Sequence, residues 1–357
     1  MSPSNVFYTT HAIQRFIHRI DNKKHSIGFI LVDSNTKTHC LDVLLKKCPS
    51  LENLMVIEVP PGEKSKSLKT CQSIWKTLSQ HAADRHSYLI NLGGGMITDL
   101  GGFVASVYKR GISFYNIPTS LLGMADASVG GKTGINFELL KNQIGTITDA
   151  AMVIILPEFL KTLNQRELFS GYAEMLKSAL IQDENYWKAL KKGSPIDSLF
   201  ITNQIEQSIY IKSEIVSSDK YEKGQRKILN FGHTLGHAIE SYFLSSKQDA
   251  YLLHGEAIVI GMILESYMSS KLLTLSPSAL EEITETFQRF YKPVKISKSQ
   301  QKKIIDLLKH DKKNQEGVVQ FALLEAIGKA KKDMVVVDDS MIDEAFDYYS
   351  MQSFGSH

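Results

Sequence analysis

The stretch that most constrains this chain runs from Tyr88 to Asn136, YLINLGGGMITDLGGFVASVYKRGISFYNIPTSLLGMADASVGGKTGIN. An apolar run from Tyr88 to Leu92 predicts a buried strand, and it stops at Gly93-Gly94-Gly95. Three glycines let the backbone approach a ligand closely and take positive φ, and Asp99 then opens a predicted helix. A strand-to-helix turn of this kind offers free amides and a helix dipole to phosphate. The spacing is not G-x-G-x-x-G, because Thr98 stands where the third glycine would fall. The glycines alone therefore fit either a nucleotide-binding turn or a tight structural one. Pro118-Thr119-Ser120 closes a second apolar segment, and Asp126, Gly130-Gly131-Lys132 and Lys141-Asn142 follow in what reads as one loop-and-turn region. A carboxylate, glycine turns and two lysines set so close together suit a phosphorylated ligand.

Strands and helices alternate on the N-terminal side of this stretch. HSIGFILV, residues 25–32, reads as a strand ending at Asp33-Ser34-Asn35, and MVIEVP reads as another. Pro60 to Lys66 is a loop, and a helix is expected from Ser67 to Ala83. Such alternation predicts a largely parallel sheet with helices on both faces. An acid at the end of the first strand can accept hydrogen bonds from a ribose, or simply cap a turn. After AMVIILPEFL the texture changes, and helical periods dominate from Pro157. Helices are predicted over 165–180, 200–219, 233–246, 254–271, 276–290 and 299–310; GVVQFALLE reads as a strand with MVVVDD as its partner. The expected organisation is a Rossmann-like α/β nucleotide-binding domain over 1–156 and a mainly helical domain over 157–357, a division that 357 residues support.

Composition excludes several classes. A net charge of +3 is too small to argue for nucleic acid, although local lysines could serve an anionic substrate. The three cysteines, Cys40, Cys48 and Cys71, have no C-x-x-C spacing and suggest reduced thiols in a cytoplasm. No apolar run approaches the 18 residues of a membrane helix. The first twenty residues lack the apolar core of a secretory signal and read as a first strand and helix.

Chemistry concentrates in the C-terminal half. His233 and His237, in NFGHTLGHAIE, lie four apart and project from one helical face, a spacing common to two ligands of one zinc ion. His254 opens the next predicted helix in LHGEA, and Glu174 lies in helical SGYAEMLK. Spacing alone proposes His233, His237 and His254 as ligands.

GGGMITDLGGFVAS, YKRG, PTSLL, DASVGGKTGIN and KNQIG, with SGYAEMLKSALI, GQRKILNFGHTLGHAIE, LHGEA and DKKNQEG downstream, together resemble the 3-dehydroquinate synthase family of sugar phosphate cyclases. The resemblance runs from about Asp33 to Gly328. It implies that Asp33, Asn35, Glu63, Lys66, Gly94, Gly95, Asp99, Thr119 and Ser120 hold NAD, with a serine at 120 where the family usually has threonine. Lys132 and Lys141 join them near the cofactor. It assigns a divalent metal, zinc or alternatively cobalt, to Glu174, His233 and His254, and turns His237 toward the substrate. Asp126, Lys132, Asn142, Lys177, Lys212, Glu222, Arg226, Asn230 and Lys312 complete the implied substrate set; Lys312 is taken rather than its neighbour Lys313. Arg110 matches a phosphate ligand supplied by a neighbouring subunit, so a homodimer is implied.

The implied activity converts 3-deoxy-D-arabino-heptulosonate 7-phosphate to 3-dehydroquinate and phosphate in the shikimate pathway, by NAD-mediated oxidation, phosphate elimination, reduction and aldol closure. Three other readings stay open. They are a sister cyclase of a neutral sugar phosphate, a metal- and NAD-dependent polyol dehydrogenase, and a non-catalytic NAD-binding relative.

Overall fold

The computed structural model describes residues 5–22, 26–138, 140–246, 251–309 and 319–354. The chain divides into two compact units, Met1–Leu168 and Phe169–His357. The boundary expected at Pro157 precedes that division, with the turn Pro157–Thr162 and the first residues of the helix that begins at Gln165 lying between.

Unit 1 runs β1 (Val6–Tyr8), α1 (Thr9–Asp21), β2 (Gly28–Asp33) and α2 (Ser34–Thr36), then a π turn and α3 (Asp42–Lys47). It continues with β3 (Met55–Val59), α4 (Leu68–Gln80), β4 (Tyr88–Gly93), α5 (Gly95–Val107), β5 (Ser113–Pro118), β6 (Lys132–Phe137), β7 (Leu140–Ile147) and β8 (Met152–Ile155). Six strands form one sheet in the order β1-β8-β5-β4-β2-β3, with every pairing parallel. Strands β2 and β4 are buried from end to end, as the unbroken runs GFILV and YLINL require of strands covered on both faces. The chain leaves β2 for β3 on one side, then returns to β4 on the other. The switch point therefore lies between β2 and β4, and their carboxyl ends frame the crevice where open α/β sheets bind ligands. Asp33 and Gly93 are the last residues of those two strands.

Three expectations are corrected here. Helix α5 begins at Gly95 with Gly94 as its N-cap, so Asp99 sits one turn inside the helix and does not open it. None of Gly93, Gly94 and Gly95 takes positive φ. Their smallness serves close packing instead: a Cβ on Gly93 would lie 2.5 Å from Ile97 Cβ, and one on Gly95 3.1 Å from Ala127 Cβ. Of the expected loop-and-turn region, Asp126 and Gly130-Gly131 do lie in turns, but Lys132 and Lys141-Asn142 belong to an antiparallel hairpin, β6 and β7, in which Gly134 faces Gly145.

Unit 2 comprises most of α6 (Gln165–Gln182), then α7 (Glu184–Lys192), α8 (Ser198–Ser218), α9 (His233–Ser245), α10 (His254–Leu272), α11 (Pro277–Phe290) and α12 (Lys298–Lys309). Two small strand pairs follow, β9 (Gln320–Phe321) with β12 (Val335–Val336) and β10 (Leu324–Ala326) with β11 (Lys329–Ala330), before α13 (Asp339–Phe354) closes the order. The pairing of GVVQFALLE with MVVVDD is thus present as β9 with β12, and helices α7 and α13 add to those predicted. Glycine sets the closest helix pair. A Cβ on Gly236 of α9 would lie 2.7 Å from Ile258 Cδ1, and one on Gly261 of α10 would lie 2.0 Å from the Gly232 carbonyl oxygen.

All three cysteines belong to unit 1 and are buried and unpaired by disulfides. Burial pushes the Cys48 thiol up to about 11 and the Cys71 thiol up to about 12, and raises Cys40 as well. Among the described residues no helix is long and apolar enough to cross a membrane.

Candidate active site

The turn at the end of β4 draws the expected cofactor residues of unit 1 together. The Thr119 amide donates to the Gly93 carbonyl at 3.0 Å, so β4 and β5 end side by side. Ser120 Oγ accepts from the Gly123 amide at 3.1 Å, and a Cβ on Gly94 would stand 3.0 Å from that same oxygen. The backbone here is bare because side chains have no room, and a ligand backed onto it meets amides first.

A polar mesh lies alongside. Lys66, 4% exposed, donates to Asp99 Oδ2 at 2.6 Å and to Asn142 Oδ1 at 2.5 Å. Glu63 Oε1 accepts from Asn136 at 2.9 Å and lies 4.0 Å from both the Lys66 and Lys141 ammonium groups. Asn142 was expected beside the substrate; its amide oxygen meets Lys66, one of the expected cofactor residues. Asp33 Oδ1 accepts from the Thr36 amide at 2.9 Å while Thr36 Oγ1 accepts from the Asp33 amide at 3.0 Å, a capping box at the start of α2. Asn35 on that turn is exposed, as are Lys132 at the head of β6 and Arg110. Lys109, Arg110 and Gly111 carry φ of 51°, 68° and 112°, three left-handed residues in succession, of which two pay the Cβ penalty. Asp126 lies in the π turn Gly123–Ala127.

In unit 2 four side chains from three helices converge. Glu174 comes from the buried middle of α6, His233 and His237 from the first two turns of α9, and His254 from the first residue of α10. Glu174 Oε1 lies 3.4 Å from Nε2 of His233 and 3.4 Å from Nε2 of His254. Each imidazole is fixed through its other nitrogen: His233 Nδ1 sits 3.1 Å from the Phe231 carbonyl, and His254 Nδ1 3.1 Å from Glu240 Oε2. The rings of His233 and His237 meet edge-on with centroids 5.1 Å apart. Lys177, one turn along α6, brings its ammonium 2.6 Å from Glu174 Oε2.

This arrangement fits a cation. Both oxygens of Glu174 are buried without a hydrogen bond of sound geometry, though the Lys177 ammonium stands close to one of them. Two donors each ~2.0–2.1 Å from a tetrahedral zinc are themselves roughly 3.4 Å apart. The Oε1–Nε2 separations of 3.4 Å match that edge. The ligand atoms of His233, His237 and His254 fall only within 4.8 Å of one another, a looser grouping. Glu174 with His233 and His254, and the three histidines together, are thus both groupings that could hold a cation.

Glu174 and His233 are held in the ligating form, whereas His254 must lose a proton to ligate. Burial acts to raise the Glu174 carboxyl, but Lys177 and the two histidines outweigh it and hold the group well below the usual range. Burial, with the Lys177 cation, drops His233 to about 3, so it is neutral and ready to ligate. Burial pulls His254 down too, yet Glu240 and Glu174 overcome it and lift the ring to about 9.

Among the described residues of unit 2, two further buried cations are Lys212 on α8 and Arg226. Arg226, 2% exposed, donates through Nη1 to the Lys220 carbonyl at 2.7 Å. Asp219 organises that loop by accepting from the amides of Lys223, Gly224 and Arg226 at 3.0, 2.7 and 3.1 Å. Asn230 donates to Glu222 Oε1 at 2.8 Å. Lys312 and Lys313 lie outside the described residues. Sequence reasoning overlooked Asp219, Glu240 and Glu265. The last is a fully buried carboxylate accepting from the Gly232 amide at 2.6 Å and the Leu235 amide at 3.3 Å. Burial pushes its carboxyl up to about 8, against backbone amides that pull it down.

A parallel nucleotide-type sheet joined to a helical unit with a carboxylate–histidine centre defines an α/β enzyme class with a metal-type site. Comparison sharpens this. Residues 56–170 match the 3-dehydroquinate synthase N-terminal family, and residues 171–314 match the 3-dehydroquinate synthase C-terminal family. The chain is 38% identical over 340 residues to a 3-dehydroquinate synthase of Parabacteroides distasonis, covering 94% of each chain. It is 41% identical to that of Campylobacter concisus, over 77% of this chain and 78% of the relative. The chain belongs to the 3-dehydroquinate synthase family. Among solved structures, a 2-epi-5-epi-valiolone synthase of Streptomyces hygroscopicus with NAD+ and Zn2+ bound shares the fold. Its TM-score is 0.84 at 24% identity, over 99% of this chain and 98% of that one. A 2-deoxy-scyllo-inosose synthase complexed with carbaglucose-6-phosphate, NAD+ and Co2+ gives a TM-score of 0.81 at 23% identity, over 95% of each chain.

Proposed function

We propose that this protein is a 3-dehydroquinate synthase, turning 3-deoxy-D-arabino-heptulosonate 7-phosphate into 3-dehydroquinate and phosphate. The observation that carries the reading is the 3.4 Å spacing of Glu174 Oε1 from both histidine Nε2 atoms, in a chain 38% identical to a 3-dehydroquinate synthase over 94% of its length. When bound, NAD supplies reversible hydride transfer and the divalent metal, zinc or cobalt, supplies Lewis acidity.

The protein's own groups do the rest. Glu174, His233 and His254 hold the cation. Gly94, Gly95, Asp99, Glu63, Lys66, Thr119, Ser120 and the Asp33–Asn35 turn hold the dinucleotide at the sheet's switch point, with Lys141 beside them. His237, its ring against His233, takes and returns protons at the substrate hydroxyls. Lys132, Lys177 and Lys212 position anionic groups, and Arg226 binds the carboxylate. Asp126, Asn142, Glu222, Asn230 and Lys312 orient polar groups. Arg110, held out by a left-handed turn, reaches the phosphate of a partner subunit in a homodimer. The protein works in the cytoplasm, without a nucleic-acid or membrane partner.

Phosphate release from the heptulosonate phosphate, with NAD in catalytic amount, tests the reading. Turnover with no net gain of absorbance at 340 nm is expected; stoichiometric NADH would make the protein a polyol dehydrogenase instead. Equal turnover of sedoheptulose 7-phosphate would make it a sister cyclase. No turnover of any substrate by the metal- and NAD-loaded protein would leave a non-catalytic relative.

A further inference from the structure

Helices α9 and α10 each begin with a residue read here as a metal ligand, and each receives a buried glutamate from the other. From α9, Glu240 places Oε2 3.1 Å from Nδ1 of His254, the first residue of α10. From α10, Glu265 accepts the Gly232 and Leu235 amides that flank His233 at the start of α9. Glu240 is 5% exposed and Glu265 is fully buried.

Why the cap comes from another helix follows from Gly232. An α-helix leaves its first amides unpaired, and a serine, threonine, asparagine or aspartate at the N-cap usually satisfies them. Gly232 holds that position with φ +76°, and a Cβ there would lie 2.3 Å from Met262 Cγ and 3.1 Å from the Ile258 carbonyl. A side chain cannot be accommodated, so no local cap is available. Glu265, 33 residues away in sequence, supplies it across the helix interface. An ordinary surface helix would not need a glutamate buried in a neighbouring helix to pair its first amides. Gly261 against Gly232 and Gly236 against Ile258 close the same interface from both sides.

We propose that Glu240 and Glu265 act as a reciprocal clamp that sets the separation of His233 and His254 and thereby tunes metal affinity. Both are positioning residues, and the inference rests on the reading of Glu174, His233 and His254 as the metal's ligands. Glu240 orients one imidazole directly through its Nδ1. Glu265 orients the other by tying its helical turn to α10. Cutting either leaves the three ligands in place while loosening the distance between them.

The test is equilibrium Zn2+ affinity of the full-length protein, by competition with a chromophoric chelator, alongside the Co2+ absorption spectrum and the melting temperature of the metal-free protein. Glu240→Ala and Glu265→Ala should each weaken Zn2+ binding ~10–100-fold, the range for partners of metal ligands. Glu240→Gln and Glu265→Gln, which retain an acceptor oxygen, should lose less than ~10-fold, and they carry the test should the alanine variants not fold. Glu282→Ala removes a carboxylate that accepts from Trp187 at 2.7 Å and Lys191 at 2.6 Å in the same unit. It should lower the melting temperature with affinity and Co2+ spectrum unchanged. The double variant should lose less than the product of the two single losses, because one interface is being loosened twice. Wild-type affinity in folded Glu240 and Glu265 variants, or simple multiplication of their losses, would overturn the clamp. Equal Zn2+ binding by wild type and Glu174→Ala would instead overturn the ligand assignment beneath it.

Discussion

In unit 1, Lys66, Asp99, Asn136, Asn142 and Glu63 satisfy one another through hydrogen bonds of 2.5 to 2.9 Å, beside a turn whose binding groups are backbone amides. In unit 2, Glu174 faces two imidazole nitrogens at 3.4 Å and accepts no well-formed hydrogen bond. The first cluster ties its side chains to one another beside those amides. The second sets a buried carboxylate between two imidazoles and the Lys177 ammonium, and a metal ion bound there takes the place of the His254 proton. Losses in the first should therefore be graded, because amides and neighbouring side chains share the load. Losses in the second should be near all-or-none, because each donor is buried and irreplaceable.

The sharpest break is Glu174→Ala, which should lower turnover and Zn2+ occupancy by more than ~100-fold, beyond the usual cost of losing a mere partner of a ligand. Metal analysis beside the phosphate-release assay checks it, and full activity in a verified metal-free preparation would remove the contrast between the units. Next comes Arg226→Ala. It should cut kcat/KM for the heptulosonate phosphate ~100-fold, as expected for about 3 kcal/mol of charged contact, while sparing sedoheptulose 7-phosphate. The ratio of the two specificity constants is the measurement, and a uniform loss would mean that Arg226 does not read the carboxylate.

In unit 1, Gly94→Ala puts a methyl 3.0 Å from Ser120 Oγ, on the surface proposed to face the dinucleotide. NAD+ should bind ~10-fold more weakly by calorimetry, equivalent to about 1.4 kcal/mol, with turnover recovered at saturating cofactor. The smallest effect is a proton count. His254 is raised from 6.5 to about 9 in the metal-free protein, so its charge contributes stability that is full below pH 6.5 and lost as pH rises through about 9. A metal ligand must be neutral, so binding at pH 7.5 should expel close to one proton, falling toward none above pH 9. Titration calorimetry in buffers of different ionisation enthalpy measures it. His233, already near 3, should contribute nothing.

The helices of unit 2 were legible because their apolar positions recur at 3.6, and the six predicted ones start and end within two residues of the observed bounds. Helix α13 carries Ile342, Ala345, Phe346 and Tyr349 at helical spacing, but it follows the strand-like MVVVDD and is assigned no element from the sequence. The hairpin of β6 and β7 escaped notice because Gly134 and Gly145, paired across it, look like loop residues. There, each carbonyl lies where the other strand's Cβ would go, so glycine marks backbone contact rather than a turn. Asp33 shows the capping reading of a strand-end acid, since Oδ1 caps α2 at the carboxyl end of β2. His233, His237 and His254 announced themselves by type and spacing, while the roles of Glu174 and most other site residues came only with the family resemblance. Glu240 and Glu265 announced themselves in neither way, because a lone glutamate in a helix resembles a solvated face and their partners are 14 and 33 residues distant.

The three native cysteines have a practical consequence. All are buried, and burial keeps their thiols protonated at neutral pH, so electrophilic probes that need a thiolate find little to attack. A cysteine added at an exposed position in each unit, for instance at Lys76 and Lys192, could take a fluorophore pair with little background labelling. Energy transfer between the dyes would then report whether NAD+ and Zn2+ change the distance from one unit to the other, in the wild-type background and without removing a single native thiol.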